Sequence, residues 1–300
     1  MKPKHFLSLF DCGEEELHAI VARGIELKEH QQTGKSHTTC AGRVLGMIFE
    51  LRSTRTRVAF EAGMYQLGGS SIFLNADDTQ LGRGEPIEDT ARVLSQMLDI
   101  VMIRASKHET IAKFAEAATI PVINGMSDLL HPCQLLADIQ TFIEQRGPIK
   151  GRTVAFVGDG YNMCNSYIEA AAQFDFQLRV ATPRSHAPTY LPAESRRHVV
   201  LLEDPASAVD NADLVVTDVW SSMGHEQELD RKQSFDGFQI DSHVLDNANP
   251  GCLFLHCLPA HRGEEVDEFV LDDPRSAVWQ EAGNRLHSQK ALIEHLLSVD

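Results

Sequence analysis

The 300-residue sequence is poor in basic residues and has no long apolar run. Lysine and arginine number 27 against 43 aspartates and glutamates, which gives a formal net charge of −16 at pH 7. Nucleic-acid and anionic-membrane binding depend on basic side chains, so this balance argues against both kinds of partner. The sequence also lacks the stretch of about 18 apolar residues that a membrane-spanning helix requires. A bound anionic metabolite would therefore need positive charge concentrated at one place.

Cysteine is scarce as well. The six cysteines include no C-x-x-C pair, which argues against a disulfide scaffold and predicts reduced thiols. The N-terminal segment lacks the apolar core and cleavage site of an export signal, and it is not rich in arginine and serine like an organelle signal. We therefore predict a cytoplasmic protein. The cysteines are Cys12, Cys40, Cys133, Cys164, Cys252 and Cys257.

Short apolar runs alternate with helical patterns along the chain. This alternation is typical of an α/β protein with parallel sheets, and the length suggests two domains. The break at Gly147-Pro148 predicts a first domain over residues 1–147 and a second from residue 148. Strands are predicted at 44–49, 71–74, 100–103, 121–123, 153–157, 178–181, 214–217 and 252–255.

Capping and proline signals place the helices. Asp11 is the predicted N-cap of the first helix, with Glu14 completing a capping box and Gly34 ending it. Pro86 is predicted as the first residue of a helix that continues through Met97. The polar segment 221–237 has no clear periodicity and is predicted to be a long functional loop. The other predicted helices are 58–67, 107–117, 132–142, 162–174 and 281–297.

The segment Ser53 to Arg57 reads S-T-R-T-R and joins a predicted strand to a predicted helix. A helix start offers unpaired N–H groups and the positive end of the helix dipole, while hydroxyls and guanidinium groups suit phosphate oxygens. The segment is therefore a candidate phosphate site. It lacks the glycines and the Gly-Lys pair of a Walker loop. Simple helix capping, with both arginines in solvent, is the alternative interpretation.

A second candidate is the H-P-C-Q segment at residues 131–134. Pro132 at a helix start places His131 just outside the helix and Gln134 in its first turn. Both side chains can then face a ligand, and an imidazole there can polarise a carbonyl oxygen. The alternative is a capping histidine beside a buried cysteine.

The segment 157–162 combines a strand, a glycine turn and a helix, as in half of a dinucleotide fingerprint. The third glycine is missing, however, and Thr182-Pro183 follows the next strand where a ribose-binding acid is expected. We therefore predict that the turn presents Asn162 at a helix start rather than binding NAD.

Two further candidates follow predicted strands of the second domain. Asp218 lies at the carboxyl end of one strand, where ligands of open α/β sheets bind, and can hold a cationic group. Cys257 ends the strand in the segment 252–261, which contains two cysteines and two histidines. Zinc is one interpretation of that segment, but no second ligand cluster has structural-zinc spacing. The others are a buried strand with small apolar cysteines and a strand end that faces a ligand.

These motifs together identify a family. S-T-R-T-R at 53–57, H-P-C-Q at 131–134, S-M-G at 222–224, H-C-L-P at 256–259 and E-A-G-N-R at 281–285 follow in this order across the whole chain. The set resembles the ornithine carbamoyltransferases. The resemblance implies an α/β fold of two domains, each a parallel-sheet sandwich, with the second ending near residue 280 and the last helix, 281–300, returning to the N-terminal domain.

The resemblance implies that the carbamoyl group of carbamoyl phosphate passes to the δ-amine of L-ornithine, giving citrulline and phosphate. Neither a metal nor an organic cofactor is implied. The expected assembly is a homotrimer, or a larger assembly of trimers, with active sites shared between subunits and Gln80 donated by a neighbour. The Leu258–Pro259 bond is expected to be cis. The implied carbamoyl-phosphate ligands are Ser53, Thr54, Arg55, Thr56, Arg57, Gln80, Arg104, His131, Gln134, Cys257, Leu258 and Arg285.

The implied ornithine ligands belong to the second domain. Cys257 and Leu258 are expected where the two substrates meet, and the segment 225–237 is expected to be a flap over ornithine. Tyr161 departs from the family, many members of which carry a small polar residue there. The implied ligands are Asn162, Asp218, Ser222 and Met223; the implied catalytic residues are Arg55, Arg104, His131, Asp218 and Cys257.

Four alternatives remain open from the sequence. Aspartate as acceptor would call for cationic groups where the second domain has Asp218 and S-M-G. Acetylornithine or putrescine would fit the intact S-M-G segment less well. A non-catalytic carbamoyl-phosphate-binding module would not need the acceptor set. An NAD-dependent dehydrogenase would need the missing ribose acid. Arginine biosynthesis is the favoured metabolic role.

Overall fold

The computed structural model describes residues 4–75, 84–221 and 231–297. The chain forms two compact units, one of Met1–Gln140 with Gly283–Asp300 and one of Thr141–Ala282. Each unit contains one sheet whose strands are all parallel, flanked by helices. The predicted α/β class with two parallel-sheet domains is confirmed, and so is the return of the last helix to the first unit.

The sheet of the first unit has four strands in the order β2-β1-β3-β4. Each is followed by a helix, as crossover connections between parallel strands require. Strands β1, β3 and β4 are almost entirely buried, because helices cover both faces of the sheet. The elements are α1 Glu14–Gln32, β1 Val44–Phe49, α2 Thr54–Gln66, β2 Ser70–Asn75, α3 Ile87–Leu94, β3 Ile100–Arg104, α4 His108–Ala117, β4 Val122–Met126 and α5 Pro132–Arg146.

The sheet of the second unit has five strands in the order β7-β6-β5-β8-β9. Strand β5 lies at its centre, and its neighbours β6 and β8 lie on either side. The elements are β5 Thr153–Val157, α6 Asn162–Gln173, β6 Gln177–Ala181, β7 Val199–Leu202, α7 Pro205–Val209, β8 Leu214–Thr217, α8 Arg231–Ser234, α9 Ser242–Leu245, β9 Leu253–His256 and α10 Val278–Leu297.

Several predicted boundaries were wrong. Asp11 is not the N-cap of α1, because its carboxylate accepts from the backbone N–H groups of Leu7 (2.6 Å) and Ser8 (2.9 Å) and ends a short 3₁₀ turn. Gly13 is the N-cap, and the Glu16 carboxylate accepts from its N–H at 2.8 Å. Pro86 lies one residue before α3, which ends at Leu94.

In the second unit the sequence missed β7, and β9 begins one residue later than predicted. Strand β7 has only four residues at the sheet edge, and two of them are exposed, so its apolar pattern is short. The predicted loop 221–237 contains the helical turn α8, while residues 222–230 lie outside the described part of the chain.

From Gly283 onward, α10 belongs to the first unit and packs on α1 and α2. Arg23 forms a two-pronged ion pair with Glu294, at 2.6 Å and 3.1 Å, and the Lys28 ammonium donates to Asn284 at 2.8 Å. Gly63 on α2 leaves room for the stem of Lys290, since a Cβ there would lie 3.2 Å from the lysine Cγ. This packing places Gly283, Asn284 and Arg285 of the E-A-G-N-R segment in the first unit.

Lys290→Met is expected to stabilise the fold in a pH-dependent way. Lys290 is fully buried, donates to Gln66 at 2.9 Å and contacts His37 at 3.1 Å. Burial lowers its pKa from 10.5 to about 8; Arg23 adds to this effect, and Glu294 opposes it. The ammonium therefore costs stability below pH 8, and this cost disappears between pH 8 and 10.5 because only the unfolded chain still holds the proton.

We expect the variant to gain on the order of 1–3 kcal/mol in free energy of unfolding at pH 7, and less as the pH rises towards 10.5. Urea unfolding of both proteins at pH 7, 8.5 and 10 measures the difference. Lys107→Met, at an exposed lysine of the same unit, is the control. A gain that stayed constant across this pH range would contradict the explanation.

Candidate active site

The S-T-R-T-R segment lies at the carboxyl edge of the first sheet. It connects β1 to α2, and the last residue of β1 pairs with Arg104, the last residue of β3. Ser53 is the N-cap of α2, and its hydroxyl accepts from the backbone N–H of Thr56 at 3.2 Å. A helix does begin in this segment, although α2 starts at Thr54 rather than at the predicted residue 58, and this start places hydroxyl groups and the positive helix end together.

Two buried arginines meet at Thr56. Its hydroxyl oxygen accepts from Arg285 at 3.1 Å and lies 3.5 Å from an Arg104 nitrogen. All three side chains are at most 3% exposed. Two guanidinium groups held this close in a buried place create a positive site suited to an anion with several oxygens.

The two arginines of the S-T-R-T-R segment itself differ from each other in their surroundings. Arg57 is exposed, pairs with Glu61 at 3.2 Å and lies over the Phe73 ring at 3.8 Å. Arg55 is half-buried, and its charge is one of those that lower the pKa of His131. Arg55 therefore adds to the positive field around the imidazole.

His131 is buried just before α5. Desolvation, together with the charges of Arg285, Arg104 and Arg55, holds its pKa well below the usual value. The imidazole is therefore neutral at physiological pH and acts as a hydrogen-bonding group rather than as a cation. Pro132 begins α5, as predicted, and the Cys133 thiol next to it donates to the Asn124 carbonyl at 3.3 Å.

Gln134, on the first turn of α5, links two charged groups. Its amide nitrogen donates to Asp138 at 2.9 Å, and its amide oxygen accepts from Arg285 at 2.5 Å. On α10, the Gln289 amide oxygen accepts from Arg285 at 3.0 Å in the orientation that satisfies both groups. These contacts hold the Arg285 guanidinium between α2 and α5.

In the second unit, Asp218 and Cys257 follow neighbouring strands β8 and β9. The Cys257 thiol donates to the Asp218 carboxylate at 3.1 Å, and the backbone N–H of Val219 donates to the same oxygen at 2.8 Å. Asp218 is 7% exposed, and burial raises its pKa despite the nearby His256 and these hydrogen bonds. A buried carboxylate of this kind favours a cationic ligand.

Contacts of both ring nitrogens of His256 fix the turn after Cys257. The His256 Nδ1 accepts from the backbone N–H of Leu258 at 2.9 Å, while Nε2 contacts the buried Glu265 carboxylate at 3.0 Å. Leu258 has a φ of +55°, and the Leu258–Pro259 bond is cis, as expected. This network orients the Cys257–Leu258 backbone.

Asn162 is the buried first residue of α6. A Cβ on Gly160 in the preceding turn would lie 2.4 Å from the His186 carbonyl, so close packing explains the glycine without a bound nucleotide. In the same turn, Asp159 forms an ion pair with Arg231, which also donates to the Trp220 carbonyl at 2.6 Å. Tyr161 is the N-cap residue.

Some predicted site residues cannot be placed, and some contacts were not predicted. Gln80, Ser222 and Met223 lie outside the described residues. The sequence analysis missed Asp138 and Gln289. Each lies four residues from a predicted ligand on the same helix, which is the spacing that would have indicated them.

Within the described ranges, His261, Glu264 and Glu265 form the group whose ligand atoms lie close enough together to hold a metal. Glu264 already pairs with Lys232 at 2.5 Å, and Glu265 with His256. Cys252 and Cys257 do not belong to this group, so the zinc interpretation of segment 252–261 gains no support. No helix in the described residues is long and apolar enough to cross a membrane.

Comparisons with known proteins cover the whole chain. Residues 4–144 match the family profile "Aspartate/ornithine carbamoyltransferase, carbamoyl-P binding domain", and residues 150–296 match the "Asp/Orn binding domain" of the same family. An ornithine carbamoyltransferase of Pseudomonas syringae pv. tomato is 56% identical over 99% of this chain and 98% of its own. The anabolic ornithine carbamoyltransferase of Pseudomonas aeruginosa is 56% identical with the same coverage.

Solved structures agree with these relatives. The ornithine carbamoyltransferase of Pyrococcus furiosus has a TM-score of 0.94 at 44% identity, covering 100% of this chain and 98% of its own. The enzyme of Burkholderia thailandensis has a TM-score of 0.92 at 47% identity, covering 98% of both chains.

Proposed function

Because this chain belongs to the aspartate/ornithine carbamoyltransferase family, we propose that it transfers the carbamoyl group of carbamoyl phosphate to the δ-amine of L-ornithine, forming L-citrulline and phosphate. The observation that carries the choice of acceptor is the 56% identity to ornithine carbamoyltransferases over 99% of the chain. Some of these relatives are named anabolic, which supports a role in arginine biosynthesis.

The phosphate of the donor is proposed to bind in the first unit. Ser53, Thr54 and Thr56 offer hydroxyl and backbone groups at the start of α2, where the helix dipole favours a phosphate. Arg55 and Arg104 neutralise the phosphate oxygens. The other proposed donor ligands are Arg57 in a supporting role, Gln80 from a neighbouring subunit, His131, Gln134, Cys257, Leu258 and Arg285.

The donor residues also explain how the carbamoyl group is activated. His131 is neutral, so it can donate a hydrogen bond to the carbamoyl oxygen without adding a charge that would compete with Arg55 and Arg104. As the amine attacks, negative charge grows on that oxygen and on the leaving phosphate. Donors already held in place stabilise this charge without reorganising.

The acceptor is proposed to bind in the second unit. The Asp218 carboxylate attracts the cationic amine, and Cys257 holds one oxygen of that carboxylate. Asn162, Ser222 and Met223 are the other proposed ornithine ligands. The attacking amine must first lose a proton, which costs roughly 4 kcal/mol near pH 7.4 for a lysine-like pKa.

Positioning of the two substrates is proposed to account for much of the rate acceleration. Holding both reactants in the correct geometry contributes on the order of 7–11 kcal/mol to lowering the barrier. The chemistry consists of amine attack on the carbamoyl carbon, loss of the amine proton and departure of phosphate. Side chains and bound substrates are sufficient for these steps.

We further propose a cytoplasmic homotrimer with shared active sites. A single chain exposes several large apolar side chains on and around α2 and β2, which is typical of a surface that a second subunit covers. Among them are Val58 and Tyr65 on α2, Ile72 on β2 and Met97 after α3. Light scattering of the purified protein is expected to give three times the 33.3 kDa chain mass, or a multiple of that value.

The proposed domain limits are 1–147, 148–280 and 281–300.

The test of the activity is carbamoylation by purified protein with carbamoyl phosphate and four separate acceptors: ornithine, aspartate, acetylornithine and putrescine. Citrulline formed with ornithine, and no product with the other three, is the expected result. Turnover of a different amine would overturn the acceptor assignment and retain the donor. Binding of carbamoyl phosphate without turnover of any amine would instead favour a non-catalytic binding module.

A further inference from the structure

A tight turn in the second unit brings one histidine and two carboxylates together. Ligand atoms of His261, Glu264 and Glu265 all lie within 4.8 Å of one another. The backbone N–H of Glu264 donates to the His261 carbonyl at 2.9 Å, and Gly263 allows the turn through its φ of +86°. The His261 Nδ1 and the Glu264 Oε2 are 3.7 Å apart. This group lies outside the residues proposed to bind the two substrates.

The two oxygens of the Glu265 carboxylate differ in their contacts. The side chain is fully buried, with 0% of its surface exposed. Its Oε1 accepts from the backbone N–H of His261 at 2.6 Å and contacts the His256 Nε2 at 3.0 Å. Its Oε2 is buried and has no hydrogen-bond partner in the part of the chain that the structure describes. A buried carboxylate oxygen without a partner is costly, so this atom favours a bound cation beside it.

The charges around the group can accommodate a cation. Glu264 forms an ion pair with Lys232 at 2.5 Å, but the Lys232 side chain is 57% exposed. Its ammonium can therefore move into solvent at little cost, since exposed ion pairs contribute little to stability. The Arg262 guanidinium is bonded elsewhere, to the Glu268 carbonyl and to Asp272 at 3.2 Å.

We propose that His261, Glu264 and Glu265 form a zinc-binding site, in which one imidazole nitrogen and two carboxylate oxygens bind the ion and water completes its coordination. Zinc holds nitrogen and oxygen ligands at about 2.0–2.2 Å in a tetrahedron, which places the ligand atoms roughly 3.4 Å from one another. The 3.7 Å between the His261 and Glu264 atoms is close to this separation.

Glu265 has the surroundings that a metal-binding carboxylate requires. Ligands of a metal are usually held in place by hydrogen bonds from residues that do not touch the ion. The His261 N–H and the His256 ring hold Oε1 in this way, and Oε2 is left for the metal. The third ligand is therefore already oriented before the ion binds.

The donor set indicates which metal ions bind. An imidazole nitrogen favours zinc and related transition metals over Mg²⁺ and Ca²⁺, which prefer oxygen ligands alone. The group contains no cysteine, so Co²⁺ in place of zinc should give weak visible bands without the intense near-ultraviolet absorption of a cobalt–thiolate bond. This spectrum distinguishes the site from Cys257 and Asp218, a thiol and a carboxylate of the same unit that are 3.1 Å apart.

Calorimetric titration of the tag-free protein with zinc chloride measures affinity and stoichiometry. We expect one ion per chain. His261→Ala should weaken binding about tenfold or more, because the loss of an outer contact alone costs about 10–100-fold. Lys232→Ala should tighten binding about twofold to fivefold, since the ion no longer displaces an ammonium from Glu264. His243→Ala, at an exposed histidine of the same unit, is the matched control and should bind zinc like the parent.

The outcomes that overturn the inference are distinct. One is unchanged zinc affinity in His261→Ala. Another is a cobalt–thiolate band that disappears in Cys257→Ser and persists in His261→Ala, which would place the ion at Cys257. A third is the absence of saturable binding at submillimolar zinc. If His261→Ala does not fold, as judged by circular dichroism, the tighter binding of Lys232→Ala tests the site instead, and unchanged affinity there would overturn it. Carbamoyl transfer plays no part in these measurements, so they are independent of the proposed function.

Discussion

Arg55→Ala is expected to lower kcat/KM for carbamoyl phosphate at least a hundredfold. Arg55 lies in the first turn of α2, where we propose that the helix start and the guanidinium act on the same phosphate. One charge-assisted hydrogen bond is worth about 1.5–3 kcal/mol, and a donor that stabilises charge in the transition state is worth about 2.7–4 kcal/mol. A hundredfold loss corresponds to about 2.7 kcal/mol, which lies within this range.

Steady-state kinetics with carbamoyl phosphate varied and ornithine saturating measures the effect. Arg55→Lys should lie between parent and alanine variant, because it keeps the charge and loses the planar fork. Arg57→Ala should cost less, since Arg57 is exposed and already bonded to Glu61. Arg92→Ala, at a distant exposed ion pair, is the control. Near-normal turnover of Arg55→Ala would refute its role on the phosphate.

The loss of activity in Arg55→Ala should be accompanied by a rise in the pKa of His131. The charge of Arg55 is one of the causes of the low pKa of His131, so removing it should raise that pKa. Desolvation of the imidazole is the larger cause and remains in the variant. The imidazole should therefore stay neutral near pH 7, and an NMR titration should show only a modest upward movement. A pKa that did not change would place Arg55 away from His131.

The alternation of strands and helices was predictable because it depends on local hydrophobic periodicity. Strand β1 and strand β5 were predicted with their observed bounds, and the inner strands of both sheets were found within a few residues. Strand β7 was missed because its stability comes from pairing with β6 at the sheet edge rather than from its own composition. The N-cap of α1 was misplaced because Asp11 bonds backward to Leu7 and Ser8, which leaves Gly13 as the cap.

The site was predictable where it depends on strand ends and helix starts. Ser53, Thr56, Asp218 and Cys257 lie at such positions, and local patterns indicated each of them. The contacts of Arg285 were not predictable from spacing, because α10 returns to the first unit from more than 140 residues away and reaches Thr56 and Gln134 there. Only the family resemblance indicated Arg104 and Arg285.

Asp218→Ala is expected to lower kcat/KM for ornithine at least a hundredfold. Asp218 is buried and bonded to Cys257, so it is held ready for a cation with little loss of freedom on binding. Removing one partner of a buried charge pair costs about 2–5 kcal/mol, of which about 2.7 kcal/mol accounts for a hundredfold. Asp218→Asn should fall between parent and alanine variant, because it keeps the hydrogen bonds and loses the charge.

The contrast between the two substrates is the decisive measurement for Asp218. The Kd of carbamoyl phosphate in Asp218→Ala should stay within about threefold of the parent value, since the proposed phosphate contacts lie in the first unit. Asp246→Ala, at a surface carboxylate paired with Arg275, controls for loss of negative charge in the same unit. Equal losses for both substrates would show that Asp218 stabilises the fold rather than binding ornithine.

Ornithine binding to the parent protein should also weaken as the solution is acidified, because protonation removes the charge of Asp218. Burial raises the pKa of Asp218, so this weakening should begin at a higher pH than it would for an exposed aspartate. The Asp218→Asn variant should not show this loss of binding at acidic pH.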